Sequence, residues 1–353
     1  MIVRKLELEN FRNYEVLKAD FDEGINYIYG ENASGKTNIL EAIYFLSLTR
    51  SFRTSDISEL IKKDSGFARI FAEIDENNQT KKLEIYFDKS HKKVKVNGKS
   101  VTKISELNSL INVISFIPRN VNLLKDSPRE RRKFLDIYIS KLSNNYLKNL
   151  SLYEKLLKER NDAFKAYTVN QTLLDILRDQ LVELNKEIYL YRKKFIKEIN
   201  NYLSDVSKKI SFKSEDLKIK YLSFVDENNI RESILKSFEK VKEEETKKKQ
   251  TLIGIHKDDF KIFISDKDVG LYGSQGENRT SIISLILSLY YLNKEKKPII
   301  VLDDVLSELD EKHEENLLNY LSEFSQIFIT NTAKSHYFSK KYYHLIDKKL
   351  KEE

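Results

Sequence analysis

The sequence predicts an α/β protein in which both ends of the chain build a mixed sheet and a helical lobe is inserted between them. Three observations support this fold class. Strand-like patterns run from Ile2 to Gly30 and from Phe67 to Val101, and they return from Lys218. A helical period fills the region between them. A glycine-rich loop, residues 30–37, joins an apolar strand to a helical pattern.

Composition excludes several classes of protein. The 353 residues are enough for two structural units, and 40% of them are hydrophobic while 33% are charged. No apolar run reaches the ~18 residues of a membrane span, and the alternating start "MIVRKLELENF" does not have the pattern of a signal peptide. The absence of cysteine excludes disulfides and zinc–thiolate sites, and 5 histidines argue against a histidine metal cage. We therefore expect a cytoplasmic protein without a membrane partner.

The charge balance is basic. Lysine and arginine number 62 against 55 acidic residues, a formal net charge of +7. This charge permits a polyanionic partner but does not require one, because a solvated lysine-rich surface explains it equally well.

The elements follow in order along the chain. Short strands lead to "INYIY" before Gly30, and the hairpin "KVKVNGKSV" turns at Asn97-Gly98. From about 134 to 208, apolar residues at helical spacing predict an antiparallel helical hairpin with arms of ~30 residues, roughly 45 Å each. That length predicts a compact lobe with no long coiled coil. Strands return in "KIKYLSFV", "FKIFIS", "PIIVLDD", "QIFITNT" and "YYHLID".

The predicted domain division follows these changes of period. Residues 1–105 and 251–353 form lobe I, which carries the mixed sheet. Residues 106–250 form the mainly helical lobe II, which contains the hairpin.

The loop "GENASGKT" has the spacing of a phosphate-binding P-loop. Backbone N–H groups wrap a phosphate in such a loop, and the following helix adds its positive N-terminal end. Lys36 would reach the outer phosphates, and Thr37 would offer a hydroxyl to Mg²⁺. A plain strand-to-helix turn is the alternative. The candidate nucleotide-binding residues are Gly30, Glu31, Asn32, Ala33, Ser34, Gly35, Lys36 and Thr37.

A second candidate is the apolar run "IIVL", which ends in Asp303 and Asp304. A buried parallel strand brings such carboxylates to the sheet edge where the P-loop lies. Asp303 would hold Mg²⁺ together with Thr37, and Asp304 could orient the attacking water. The alternative is a strand that ends in an acidic turn.

A third candidate is "GSQGENRTSIISLILS", in which a polar loop opens a helix. The Ser274 hydroxyl, the Gly276 N–H and the helix N-terminus are all donors suited to an anion. The alternative is an ordinary helix N-cap formed by Ser274 or Asn278.

Together these motifs resemble the ABC-type ATPases, in which a Ser-x-Gly signature loop precedes the carboxylate strand and closes over the γ-phosphate of a second subunit. More specifically, the sequence resembles the RecF family. Members of that family are similar to the heads of SMC proteins but lack their long coiled coils. It is carried, in order, by "LELENFRNY", "GENASGKTNILEAIYFLSLTRSFRT", "FIPRNVNLLKDSPRERRKFLD", "IGIHKDDFKIFI", "GSQGENRTSIISLILS" and "IIVLDDVLSELD".

The resemblance implies an ABC-type P-loop ATPase head that uses ATP and Mg²⁺. It implies an ATP-dependent homodimer that clamps DNA in recombinational repair, hydrolyses ATP slowly as a switch, and helps RecO and RecR load RecA at gapped DNA. Arg12 and Asn13, in "LELENFRNY", are then expected beside the nucleotide, with Lys36 and Asp304 as catalytic residues. Two departures stand out. Arg119 and Asn120 replace the family's usual Glu-Asp, and "FITNT" carries no switch histidine.

Candidate DNA contacts come from basic clusters, because no base-reading motif is present. We expect non-sequence-specific, backbone-directed binding of double-stranded, gapped or junction DNA. Solvated surface is the alternative for each cluster. "RERRK" at 129–133 could equally tie the two lobes together. Two other classes stay open: an SMC-like structural tether and the ATPase component of a nuclease. The DNA-binding candidates are Arg50, Arg53, Lys62, Lys63, Lys92, Lys93 and Lys95.

Overall fold

The structure is a computed structural model that describes residues 1–77, 79–101, 111–211, 216–293, 297–338 and 341–353. The chain divides into two compact units. Unit 1 comprises Met1–Val121, Asp205–Ser214 and Ile283–Glu353, and unit 2 comprises Asn122–Ser204 and Glu215–Ile282. The predicted lobe boundary between 105 and 106 lies outside the described residues.

Unit 1 contains an antiparallel sheet, sheet A, with strand order β2-β1-β4-β5-β6-β7. Buried and partly buried residues alternate along β4, as expected for a sheet with one face against the core. Asn97 and Gly98 have φ values of 49° and 80° between β6 and β7, so the predicted two-residue hairpin turn is confirmed. The strands are β1 (Ile2–Phe11), β2 (Tyr14–Asp20), β4 (Ala68–Glu76), β5 (Gln79–Phe87), β6 (Lys92–Val96) and β7 (Lys99–Val101).

Sheet B, also in unit 1, has strand order β15-β14-β3-β13-β12-β8 and is parallel except for β15. Every residue of β8 and β12 is buried, which explains their largely apolar sequences. Because β13 lies between β3 and β12, the loops after all three strands meet at one edge. The strands are β3 (Gly24–Tyr29), β8 (Val113–Phe116), β12 (Ile299–Asp303), β13 (Gln326–Asn331), β14 (Tyr342–Ile346) and β15 (Lys349–Glu352).

One side chain links the two sheets of unit 1. Gln326 of β13 is fully buried, and its amide accepts a hydrogen bond from the Val3 N–H at 2.8 Å and donates to the Val3 carbonyl at 2.9 Å. It also donates to the carbonyl of Asp22 at 2.9 Å. Helix α1 (Lys36–Leu48) packs its largely apolar length into the same core, and α8 (Glu311–Leu321) follows the carboxylate strand.

Unit 2 is mainly helical. Its helices are α2 (Pro128–Leu142), α3 (Asn144–Lys165), α4 (Gln171–Ile210), α5 (Ile230–Lys248), α6 (Val269–Tyr272) and α7 (Gln275–Leu292), of which α4 and α7 continue into unit 1. Antiparallel strands β9 (Leu217–Leu222), β10 (Asp259–Ile264) and β11 (Lys267–Asp268) form a small third sheet. Short 3₁₀ helices elsewhere in the chain span Ile57–Leu60, Pro118–Asn122 and Ile255–Lys257.

The predicted helical hairpin corresponds to α3 and α4, and residues 166–170 connect the two helices. Its first arm is shorter than predicted, because one helix ends before Ser143 and a new one begins after it. The Ser143 hydroxyl accepts the Tyr146 N–H and caps α3. Helix α4 is longer, at 40 residues or roughly 60 Å. The predicted α/β fold class without a long coiled coil is confirmed for the described part of the chain.

Residues 111–121 and 205–211 are predicted in lobe II but group with unit 1. Residues 251–282 also differ from the predicted division. The sequence places them in lobe I, but they group with unit 2 because β10 pairs with β9 over its whole length. Among the described residues, no helix is long and apolar enough to cross a membrane.

Candidate nucleotide site

The loop 30–37 leaves β3 and enters α1 as predicted, and its two glycines are sterically required. Gly35 has φ 120°, and a Cβ there would lie 2.5 Å from the Tyr14 hydroxyl oxygen. A Cβ at Gly30 would lie 2.6 Å from the carbonyl oxygen of Leu345. Real Cβ atoms do not approach other atoms so closely, so a side chain at either position would displace the loop.

Lys36, the first residue of α1, folds back over the loop. Its Nζ donates to the carbonyl oxygens of Gly30 and Glu31, both at 2.7 Å. Burial lowers the pKa of Lys36, and the nearby charges of Asp304 and Asp303 oppose that shift. The ammonium group is therefore bonded to two loop carbonyls and lies in the electrostatic field of the two carboxylates.

Thr37 and Asp303 are in direct contact. The Thr37 hydroxyl lies 3.0 Å from both carboxylate oxygens of Asp303, and Thr330 of β13 donates to Asp303 Oδ1 at 2.7 Å. Asp303 is only 5% exposed, and burial raises the pKa of its carboxyl group. The predicted metal-binding pair thus lies together at the carboxyl edge of sheet B.

Asp304 begins the turn after β12. Its φ is 51°, in the left-handed region, and its N–H donates to the Thr330 hydroxyl at 3.1 Å. The Ser307 hydroxyl donates to the Asp304 carbonyl at 2.9 Å, and Asp310 caps α8 by accepting the His313 N–H. The segment "SELD" therefore continues the turn into α8.

These residues fit a magnesium nucleotide. The Ser34 hydroxyl in the loop is buried and has no hydrogen-bond partner within the described residues, so the loop holds a polar group suited to a ligand. Thr37 and Asp303 would supply two oxygen ligands to a metal ion, and no cluster of three or more His, Cys, Asp or Glu forms a metal site in the described part of the chain. Mg²⁺ is typically bound by one or two protein groups together with phosphates and water, which this pair would allow.

Asn13 and Arg12, the two residues predicted beside the nucleotide, lie next to the loop in different ways. Asn13 Nδ2 donates to the Ser34 carbonyl at 3.2 Å and its Oδ1 accepts from Asn38 at 2.7 Å. Arg12 forms a bidentate pair with Glu41, at 2.8 and 2.7 Å. Arg12 is thus bonded to α1 through Glu41 and not to the loop itself.

Sequence reasoning missed Glu41 and Thr330. Glu41 is fully buried on α1 and accepts hydrogen bonds from Ser51 and Arg12, with Arg53 at 3.6 Å. Its signal was visible as one acid within the apolar run "ILEAIYF". Thr330 carried no such signal, because its role depends on a neighbouring strand.

The signature loop lies in unit 2. Ser274 and Glu277 form a capping box: the Ser274 hydroxyl accepts the Glu277 N–H at 3.2 Å, and the Glu277 carboxylate accepts the Ser274 N–H at 2.9 Å. Ser274 therefore caps α7, as the capping alternative predicts, and the trans role of this loop stays a prediction. Asn278 instead donates to the carbonyls of Gly273 and Ser274. A Cβ at Gly276 would meet no described atom within 4 Å, so packing within the chain does not require this glycine.

The predicted DNA contacts divide into two groups. Three are engaged by unit 1 itself: Arg53 donates to Asn38 at 2.9 Å, Lys62 pairs with Glu15 at 3.1 Å, and Lys92 donates to the Thr49 hydroxyl at 2.8 Å. Burial, aided by the charge of Arg50, lowers the pKa of Lys92. The others are exposed and form no hydrogen bond or ion pair within the described ranges: Arg50, Lys63, Lys93 and Lys95.

Two of the three arginines of "RERRK", Arg131 and Arg132, make contacts within unit 2. Arg131 is 7% exposed and forms a bidentate pair with Asp259 at 2.7 Å. Arg132 donates to the Asp258 carbonyl at 2.7 Å. Both contacts lie within unit 2, because Asp258 and Asp259 belong to that unit.

The sheet order, the P-loop and the carboxylate strand define a P-loop ATPase head of the ABC type. The family described as "RecF/RecN/SMC N terminal domain" matches residues 2–349. Proteins called "DNA replication and repair protein RecF" from Bacillus thuringiensis (strain Al Hakam) and Bacillus cereus (strain B4264) are each 38% identical over 346 residues, covering 94% of this chain and 92% of theirs. The chain belongs to the RecF family.

Solved structures agree with this assignment. One described as "recombination mediator protein RecF-ATPrS in RecFOR pathway" superimposes with a TM-score of 0.89 at 34% identity, covering 99% of this chain and 98% of that one. The corresponding RecF-ATP structure gives 0.88 at 34% identity, covering 99% and 97%. An SMC head bound to the C-winged helix domain of ScpA gives 0.59 at 17% identity, covering 100% and 98%, which shows a shared fold.

Proposed function

We propose that this protein is an ATP-dependent DNA-binding clamp of recombinational DNA repair. ATP binding drives head-to-head homodimerisation on DNA, and slow hydrolysis releases the dimer. The clamp helps RecO and RecR load RecA at gapped DNA or at single-strand/double-strand boundaries. Membership of the RecF family supports this proposal, as do the relatives' names, which refer to DNA replication, repair and the RecFOR pathway.

The division of the candidate phosphate-binding groups between the two units carries the proposal. Lys36, Thr37 and Asp303 form a nucleotide site within unit 1. Ser274 belongs to unit 2, is exposed, and is followed by a glycine that no contact in the described chain requires. Such a loop can approach a phosphate of another copy, because neither a side chain at Gly276 nor burial of Ser274 obstructs it.

The residues divide the work of hydrolysis. Lys36 binds the outer phosphates, while Thr37 and Asp303 hold the metal. Bound Mg²⁺ supplies charge neutralisation for the phosphates. Asp304 orients the attacking water, and its side chain is one methylene shorter than the glutamate of many ABC ATPases. We therefore expect a weak ATPase in which hydrolysis is a switch.

The proposed DNA interaction is with the backbone of double-stranded DNA. Arg50, Lys63, Lys93 and Lys95 are exposed cations without partners in the described part of unit 1, and Lys93 and Lys95 share one face of β6. Cations of this kind neutralise phosphates without reading bases.

Substitutions of Lys36 and Ser274 test whether the ATP site is shared between two copies of the protein. We expect Lys36→Ala to weaken ATP binding about tenfold or more, because a charge-assisted contact is lost. We expect Ser274→Ala to bind ATP nearly normally but to fail in ATP-dependent dimerisation, measured by sedimentation. Ser274→Asn is the matched control, because asparagine caps a helix as well as serine does. If Ser274→Asn dimerises normally, the serine acts only as a cap and the trans role is wrong.

A mixing experiment is sharper. If the site is shared, a dimer of one Lys36→Ala copy and one Ser274→Ala copy contains one complete site, formed by the intact P-loop of one and the intact Ser274 of the other. The mixture should then hydrolyse ATP although neither variant does so alone. A mixture as inactive as its components would contradict the proposal.

Sedimentation of the unmodified protein completes the test. With ATP and duplex DNA we expect a dimer, and with ADP or no nucleotide a monomer. A protein that binds DNA equally under all conditions would be a constitutive binder and not an ATP-gated clamp.

A further inference from the structure

Thr330 lies between the two carboxylate residues of the nucleotide site. It is 1% exposed on β13 and lies directly opposite Asp303 in the parallel pairing of β12 with β13. Its hydroxyl donates to Asp303 Oδ1 at 2.7 Å and accepts the backbone N–H of Asp304 at 3.1 Å. One side chain thus contacts the metal-binding candidate and the water-orienting candidate together.

The contact to Asp304 compensates for the end of a strand. Strand β12 ends at Asp303, and Asp304 adopts φ 51°, a left-handed conformation that L-residues other than asparagine and aspartate rarely adopt. Its N–H has therefore left the regular ladder of the sheet. The Thr330 hydroxyl accepts this N–H and stabilises the turn that sets the direction of the Asp304 side chain.

The direction of each hydrogen bond is determined. A hydroxyl carries one proton, and a backbone N–H can only donate. Because Thr330 accepts from the Asp304 N–H, its own proton is available to the Asp303 carboxylate, which can only accept when ionised. Thr37 occupies the other side of Asp303, at 3.0 Å from both oxygens. The carboxylate is thus held between two hydroxyls from two different elements.

We propose that Thr330 is a positioning residue for ATP hydrolysis, which orients Asp303 toward the metal and fixes the turn that carries Asp304; this inference rests on the proposed function. It acts through the two aspartates, and the buried hydroxyl is the group that matters.

Three variants test this role. Thr330→Val keeps the branched shape and removes both hydrogen bonds, and Thr330→Ser keeps the hydroxyl and removes a methyl group. Displacing a catalytic group by about 1 Å can cost about a hundredfold in rate, so we expect Thr330→Val to lower kcat by about tenfold or more. The Kd for ATP should stay within about threefold, and Thr330→Ser should retain most of kcat. Thr330→Ala replaces Thr330→Val if the valine variant does not fold, as judged by circular dichroism.

The outcomes are separable. A Thr330→Val protein with unchanged kcat overturns the inference, as does one in which ATP affinity falls in parallel with kcat. A folded Thr330→Ser protein that has lost turnover also overturns it, because the hydroxyl is present. If the unmodified protein binds no ATP, the proposed function itself fails, and that result is distinct from either of these.

Discussion

Asp303 carries a carboxyl group that is buried before any ligand binds. Burial raises the pKa of this group, and hydrogen bonds from Thr330 and Thr37 counteract the shift. Because the folded-state pKa is raised, the contribution of Asp303 to stability is fully present below its ordinary pKa and is lost as pH rises through the raised value. The ionised Asp303 carboxylate, which would suit a metal ion, therefore destabilises the nucleotide-free protein at neutral pH.

We expect Asp303→Asn to raise the thermal unfolding midpoint of the nucleotide-free protein at about pH 8 by roughly a few degrees, because it removes a buried charge. The gain should shrink toward about pH 5, where the carboxyl group of the unmodified protein takes up its proton more readily. Calorimetry at both pH values measures this, with the less buried Asp304→Asn as control. A midpoint that falls at pH 8 would contradict the expectation.

Asp304 differs from Asp303 in exposure and in role. It is half-buried in the turn after β12, and its proposed partner is the attacking water. We expect Asp304→Asn to retain ATP binding and to accumulate the ATP-bound dimer, because the amide cannot take a proton from water. Turnover and sedimentation measure this. Undiminished turnover in this variant would remove Asp304 from the role.

At the scale of elements, two buried arginines hold residues 255–259 against the helices of unit 2. The Arg131 guanidinium joins α2 to Asp259 with two hydrogen bonds and also donates to the carbonyl of Asp126 at 2.6 Å. On α4, Arg192 is 1% exposed and donates to Asp136 and to the carbonyl of Ile255, both at 2.8 Å. These contacts explain why the segment after 251 belongs with the helices.

We expect Arg131→Met to destabilise the protein by about 3–5 kcal/mol, because it leaves the Asp259 carboxylate without its partner. A further change of Asp259 to Leu should recover part of this loss, because an apolar pair replaces two buried charges. Denaturant unfolding measures both. Arg129→Met, an exposed arginine on the same helix, is the matched control and should stay within about 0.5 kcal/mol. Equal effects at positions 129 and 131 would contradict the assigned role.

At the scale of the whole molecule, the net charge of +7 does not by itself indicate which cations can bind DNA. That depends on which of them already have a partner within the protein. Lys92 is bonded within unit 1, whereas Lys93 and Lys95 are exposed on the same strand. An unpaired cation can release a counterion from DNA when it binds, and an engaged one contributes less.

We expect Lys93→Ala combined with Lys95→Ala to weaken duplex binding similarly for all sequences. The slope of log K against log salt should decrease by about two, because each phosphate contact contributes about 0.9. Lys81→Ala is the control, since Lys81 lies in the same sheet but pairs with Glu76 at 2.6 Å. A slope unchanged by the double substitution would exclude this face of β6 from the DNA contact.

The sequence by itself determined the features that depend on adjacent residues. "GENASGKT" specifies a loop and the start of a helix within eight residues, and Asn97-Gly98 specifies a tight hairpin turn. The capping of α7 by Ser274 could also be predicted, because the S-x-x-E spacing acts within one helical turn. The α/β class followed from the change of period along the chain.

Only the tertiary structure decided the features that depend on which strands become neighbours. The pairing of β13 with β12 places Thr330 against Asp303, and the pairing of β9 with β10 assigns 251–282 to the helical unit. Glu41 stands out in the sequence only as one acid within an apolar run, and its partner Arg12 is brought to it by the fold. Contacts between residues far apart in sequence come from strand pairing and core packing, which local patterns do not encode.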